Sequence, residues 1–263
     1  MRNEYDIEII AHCWAKTLPV YRTHLKYQLA SLINFTHPDI YVCYTVCISR
    51  DDEATMNYLH ECTQHMPPHV VLNIEVMPSS MLFRRAIARN MRALEACARV
   101  YWFTDVDYLF GRNCLVSLLE KVSQISGLTY PRYIKLNPDH ATGDRMCETV
   151  FDVDKFPTFD ERLFVPREQK TCIGGVHIIG VDRLLAINPK TNEPYGYING
   201  HRKCKPVDEA DGFRSCRCDV QFKAQHQPAL HINIPNVFRI RHTHAGRCYD
   251  SKGEREPMKG DHD

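Results

Sequence analysis

The sequence predicts an α/β fold in which a mostly parallel sheet is flanked by helices, all within a single domain. Three observations predict it. Through the first 111 residues, apolar runs of strand length alternate with stretches of helical period, the pattern of a sheet wound with helices. The runs are continuously apolar, as in strands covered on both faces. A length of 263 residues, 44% hydrophobic and 25% charged, suits one large globular domain.

In order, Ile7–Ala11 is expected as the first strand, ending at His12-Cys13-Trp14. A helix follows from about Pro19 to Asn34, with Leu25, Leu29, Leu32 and Ile33 on one face. Ile40–Ile48 is a second buried strand, closed by Ser49-Arg50-Asp51-Asp52, and a short helix over Ala54–His65 stops at Pro67-Pro68. Val70–Val76 is a third strand, and Phe83–Ala98 a helix striped by Ile87, Met91 and Leu94. The fourth strand lies in VYWFTDVDYLFG, Val100–Gly111, and runs directly into Asp105 and Asp107. Beyond it, Leu115–Ile125 reads as a helix and Tyr133–Leu136 as a strand. Residues 137–170 are polar and proline-punctuated without a period, and are expected to be irregular, part of them covering a substrate. Cys172–Ile179 is a strand entered through Gly174-Gly175, 188–214 is loop-rich, and Asp219–Gln225 is a short helix. Leu230–Arg241 holds the last strand and runs into His242-Thr243-His244, while 251–263 reads as a flexible tail.

A formal net charge of +1 gives no global drive toward nucleic acid or anionic membrane. Local basic clusters (Arg84, Arg85, Arg89, Arg92; Arg239, Arg241, Arg247) leave an anion site open. No apolar run of about 20 residues spans a bilayer. The opening MRNEYDIEII lacks the apolar core of a secretion signal, which predicts a cytoplasmic protein, although an enzyme trimmed of a Golgi anchor reads the same way. The twelve cysteines are then expected as reduced thiols.

Two acids spaced i, i+2 at the carboxyl end of a buried strand stand where open α/β sheets collect ligands. Such a pair offers hard oxygen donors to Mg²⁺ or Mn²⁺; the alternative for Asp105 is a turn or N-cap acceptor. His242 and His244 lie two apart at a strand end and point to one face. Their imidazoles would favour Mn²⁺ over Mg²⁺ in such a site. Cys204, Cys216, Cys218 and Cys248, with His201, form a possible zinc set, with ordinary thiols as the other reading.

Taken in order, these pieces resemble the nucleotide-sugar glycosyltransferases of the GT-A fold, especially family 2 and the β-1,4-galactosyltransferase-like enzymes. The matches are Arg89-Asn90 on the helix before the acids, the FTDVD of Phe103–Asp107, Gly174-Gly175-Val176, and CDVQFKAQ (Cys218–Gln225) followed by Ile234-Pro235-Asn236-Val237 and His242. They extend over roughly Tyr5 to Arg247. Cys218 stands where the family usually has Glu, and Gln221 where it often has a second Asp. The resemblance implies a nucleotide-binding half, 1–111, and an acceptor-binding half, 112–250. It implies a UDP-sugar donor, Mn²⁺ or Mg²⁺, and inverting transfer to a hydroxyl of a glycan, a lipid-linked sugar, a protein or a hydroxylated DNA base. It makes Asp107 and His242 metal ligands, with His244 a second ligand or phosphate contact, and places Asp105 nearer the ribose. Asp219 becomes the catalytic base, in preference to an alignment on Asp208-Glu209-Ala210-Asp211. His12, Asp51 and Arg89 become nucleotide contacts, Arg247 or Arg241 a partner of the departing diphosphate, and Gly174 and Gly175 the shapers of the acceptor pocket. From a different class stands a non-catalytic nucleotide or nucleic-acid module with structural zinc.

Overall fold

The computed structural model describes residues 4–148, 156–200, 205–206 and 218–243. Its frame is a seven-stranded sheet. β1 (Tyr5–Cys13), β2 (Val42–Ser49) and β3 (Val70–Met77) run parallel, with α1 (Val20–Phe35) and α2 (Glu53–Cys62) as crossovers. The chain then passes through α3 (Ser79–Leu82) and α4 (Ala86–Glu95) to β4 (Ala98–Thr104), which pairs parallel with the other edge of β1. The order of winding therefore reverses between β1 and β4, and ligands of open α/β sheets collect outside the strand ends at such a reversal. Every residue of β2 is buried, which is why its sequence shows no alternation.

The first half follows the expected order, with one instructive difference. The helix expected over Phe83–Ala98 is α3 and α4, and Met91 is 44% exposed. The buried face is instead Ala86, Ile87, Ala88, Arg89 and Ala93; small side chains let α4 lie close to the sheet and leave depth for a buried guanidinium.

Beyond β4, a short β5 (Tyr108–Phe110), α5 (Cys114–Glu120), β6 (Thr129–Pro131) and β7 (Tyr133–Leu136) lead into the stretch expected to be irregular. That stretch carries α6 (His140–Glu148) and β8 (Val165–Glu168). Next come β9 (Val176–Gly180), α7 (Val181–Leu185), the small hairpin β10 (Ile187–Asn188) and β11 (Glu193–Pro194), and α8 (Cys218–Gln225). The final stretch is two strands: β12 (Leu230–Ile232) joins the main sheet, and β13 (Val237–Arg239) joins a second, four-stranded sheet. Asn236, with φ of 55°, sits between them, a left-handed position that asparagine tolerates. The main sheet reads β12-β6-β9-β4-β1-β2-β3, and the second β5-β13-β7-β8. β9 is antiparallel to both its neighbours.

Glu8 is wholly buried within β1. Its carboxylate accepts from Thr45 Oγ1 and Arg92 Nε, both at 2.7 Å, so the buried charge is paired, as burial of a charge requires. Among the described residues no helix is long and apolar enough to cross a membrane.

Candidate active site

The turn Asp105–Asp107 leaves β4 at the reversal point and re-enters as β5. Gln28, wholly buried on α1, donates from Nε2 to Asp105 O (3.1 Å) and Tyr108 O (2.7 Å). These bonds hold both ends of the turn. Asp105 is ion-paired with Arg85 and lies 3.6 Å from the Arg89 guanidinium. Burial alone would raise its pKa; Arg85, then Arg89 and Arg239, outweigh that and hold it at about 2.

Arg89 is 0% exposed. It donates to Thr104 O (2.9 Å), Tyr197 Oη (3.0 Å) and Gly174 O (3.4 Å). It therefore ties β4, the loop before β9 and Asp105 together, with its guanidinium 5.3 Å from the Tyr197 ring centroid. His12 lies beside this cluster, 8% exposed, and among the described residues neither ring nitrogen has a hydrogen-bond partner. Burial first, then Arg89 and Arg85, push its pKa well below the ordinary value, so the imidazole is neutral.

Asp107 is buried differently. Arg239 Nε donates to its Oδ2 at 2.9 Å, and His242 Nε2 lies 3.9 Å from the same oxygen. Oδ1 is buried with no hydrogen-bond partner among the described residues. β5–β13 pairing places Arg239 opposite Tyr108, and Ile240 N donates to Asp107 O at 2.8 Å. α6 fixes the segment after β13: Asp144 accepts from Thr243 N (3.0 Å) and Oγ1 (2.9 Å), and Asn137 Nδ2 donates to Arg241 O at 3.1 Å. His242 itself packs with its ring centroid 4.3 Å from that of His24, whose Nε2 is 2.9 Å from Cys147 Sγ.

Gly174 and Gly175 close the far side of this end of the sheet. Register pairs Thr104 with Val176, which sets this turn beside Asp105. A Cβ on Gly175 would stand 2.2 Å from the Tyr108 ring, and one on Gly174 would stand 3.0 Å from Asp219 Oδ2. Asp219 opens α8, half-buried, and makes no side-chain hydrogen bond among the described residues. Gly175→Ala is expected to cost about 1–3 kcal/mol through overpacking and to lower turnover by moving Tyr108. Thermal melting and steady-state rates on the same sample check both.

The structure thus brings His12, Arg89, Asp105, Asp107, Gly174, Gly175, Asp219 and His242 to one end of the sheet. Asp51 stands at the end of β2, half-exposed and 3.6 Å from Lys16 Nζ; its neighbour Asp52 is consumed as the buried cap of α2, accepting from Thr55 N and Ala15 N. Arg241 donates to Pro138 O, whereas Arg239 faces the acids. Arg85, Arg239, Gln28 and Tyr197 were not singled out from sequence; only the two arginines had a signal, their membership of basic clusters. His244, Arg247, the 208–211 acids, and His201, Cys204, Cys216 and Cys248 lie outside the described residues. Cys218, the first residue of α8, is buried in the core.

Among the described residues no three His, Cys, Asp or Glu side chains converge as a metal cage. Asp107 and His242 nevertheless fit a divalent ion. A buried carboxylate oxygen without a donor is costly, and a cation satisfies it. One carboxylate and one imidazole leave positions for phosphate oxygens, a set that suits Mn²⁺.

No protein-family model matches the chain, and no curated protein matches it in sequence. Among solved structures it is similar to S. aureus TarS, with a TM-score of 0.50 at 9% identity over 89% of this chain. The chain spans 36% of the TarS chain. A structure of S. aureus TarS 1-349 overlaps less, with a TM-score of 0.36 at 11% identity over 51% of this chain and 36% of that one. The likeness is one of fold: a seven-stranded, mostly parallel sheet flanked by helices, matching a GT-A-like glycosyltransferase fold.

Proposed function

We propose that the protein is a metal-dependent inverting glycosyltransferase that moves a sugar from a UDP-sugar to an acceptor hydroxyl. One observation carries the reading. At the reversal point of a GT-A-like sheet, an acid pair lies across Gly174-Gly175 from a carboxylate, Asp219, and among the described residues neither the buried Asp107 Oδ1 nor Asp219 has a hydrogen-bond donor.

Residues 1–111 take the nucleotide and 112–250 the acceptor. His12 and the half-exposed Asp51 contact base and ribose, and Asp105, held ionised by Arg85 and Arg89, orients the ribose side. Arg89, being wholly buried, positions Asp105 and the Gly174 loop and does not itself touch the donor. Asp107 and His242 would hold the divalent ion, which neutralises charge developing on the diphosphate. Asp219 accepts the proton of the acceptor hydroxyl as its oxygen attacks the anomeric carbon. The bond from that carbon to the diphosphate oxygen breaks, and the leaving group departs as UDP toward Arg239. Attack from the face opposite the leaving group inverts the centre.

A glycan, a protein and a hydroxylated DNA base remain acceptors of one chemistry; steep salt dependence of duplex binding singles out DNA. The test of the class is UDP release from a panel of UDP-sugars with Mn²⁺ and then with EDTA. EDTA is expected to abolish release, and Asp107→Ala to match the EDTA-treated level with the fold intact. EDTA-insensitive release would reject metal dependence, and no release with any donor and acceptor would reject the transferase reading.

A further inference from the structure

Arg239 occupies ground that the proposed metal needs. Its Nε bonds the same Asp107 oxygen that faces His242 Nε2. Whichever carboxylate oxygen an ion takes, the guanidinium lies within one carboxylate's width of it. Two carboxylates, Asp105 and Asp107, already meet three guanidinium groups, Arg85, Arg89 and Arg239. The nearby His12 is neutral. Around the two acids themselves the guanidinium charges outnumber the carboxylates by one without any metal, Asp219 lying beyond Gly174 as the next carboxylate, and like charges at such range repel strongly in a partly buried setting. A bare divalent ion is disfavoured there. A nucleotide-sugar diphosphate carries two negative charges, so ion and donor arriving together add no net charge.

The arginine is also placed to move. Its backbone is fixed in β13, its side chain is 39% exposed, and it rests over the Tyr108 ring at 5.3 Å from the centroid. The guanidinium can leave Asp107 without breaking the strand pairing that holds both residues.

We propose that Arg239 is the resident counter-cation of Asp107 and makes metal binding depend on donor. It neutralises the carboxylate in the donor-free protein and transfers to the diphosphate when the ion–donor complex binds. This rests on the metal and donor reading above. It predicts that metal and nucleotide bind with positive coupling, and that the coupling resides in one side chain.

The test is titration of the 263-residue chain with MnCl₂ alone, read by the EPR signal of free Mn²⁺, and again with UDP present. R239Q is expected to bind Mn²⁺ alone at least about tenfold more tightly than the wild type, as removal of one adjacent charge implies. R239K, which keeps the charge, should bind as the wild type does, and D107N in the R239Q background should lose the gain. With UDP present the difference between wild type and R239Q should narrow. Equal Mn²⁺ affinity of wild type and R239Q overturns the proposal, as does a gain that survives D107N. R239M, which keeps an apolar stem over Tyr108, serves if circular dichroism finds R239Q unfolded. EDTA-insensitive UDP release would instead sink the parent reading, whatever the Mn²⁺ titration gives.

Discussion

Asp219→Asn is expected to lower kcat for sugar transfer by about 10²–10⁴-fold, the range for loss of a positioned general base, with little change in donor KM. The side chain opens α8 and lies against Gly174, whose missing Cβ leaves 3.0 Å to Asp219 Oδ2. It accepts no hydrogen bond from the described protein, so its lone pairs are available to an acceptor hydroxyl. Asparagine retains the shape, and the loss of a carboxylate from the first turn of α8 costs only about 0.3–1 kcal/mol. The melting temperature should therefore hold, and that separates a base from a structural acid. Transfer by Asp219→Asn at the wild-type rate would move the base elsewhere, the 208–211 acids being the next to test.

Arg89→Met is expected to destabilise the fold by about 2–4 kcal/mol, because buried acceptors lose their donor while Asp105, 38% exposed, keeps Arg85. Arg89 has no exposed surface and reaches Thr104 O, Tyr197 Oη, Gly174 O and Asp105 in different directions. Methionine fills the volume but leaves those acceptors unmet. Arg89→Lys is not a rescue, because one ammonium does not reproduce the planar fork of donors. Denaturant unfolding with an unchanged slope measures the loss. A loss under about 1 kcal/mol, the ordinary range for a surface position, would show that the guanidinium does not hold the site together.

The first half of the fold was legible because β2 and β4 are buried on both faces and carry nearly unbroken apolar runs, with helices between the strands, although the edge strand β3 is only partly buried. IYVCYTVCI could be read as a strand for that reason, and VYWFT for the same one. The second half was not. β5, β6, β12 and β13 have three residues each, too short to show a period. β8 is exposed along its whole length, so it carries no hydrophobic code. α6 lay hidden in 137–170 because only Gly143 of its residues is buried. Its contribution is made through Asp144 to a segment 99 residues away.

The candidate site divides along the same line. Asp105 and Asp107 could be placed at the sheet's end because they close a strand whose burial is written locally, and Gly174-Gly175 were singled out only through the family resemblance. Arg239 could not be assigned to Asp107, since the pair is 132 residues apart and spans two elements. Nor could Arg89 be distinguished from a solvent-facing arginine on a helix of otherwise ordinary pattern.

The sequence by itself determined the alternation of the first four strands with helices and the residue types that follow the strand ends, the candidate acids among them. Those follow from burial period and chain order, both local quantities. Only the tertiary structure decided which charge meets which: Arg85 and Arg89 with Asp105, Arg239 and His242 with Asp107, and Asp219 across the glycine turn. Those choices depend on the register of short strands in a second sheet, where packing and ion pairing between distant segments, rather than any local pattern, select the partner.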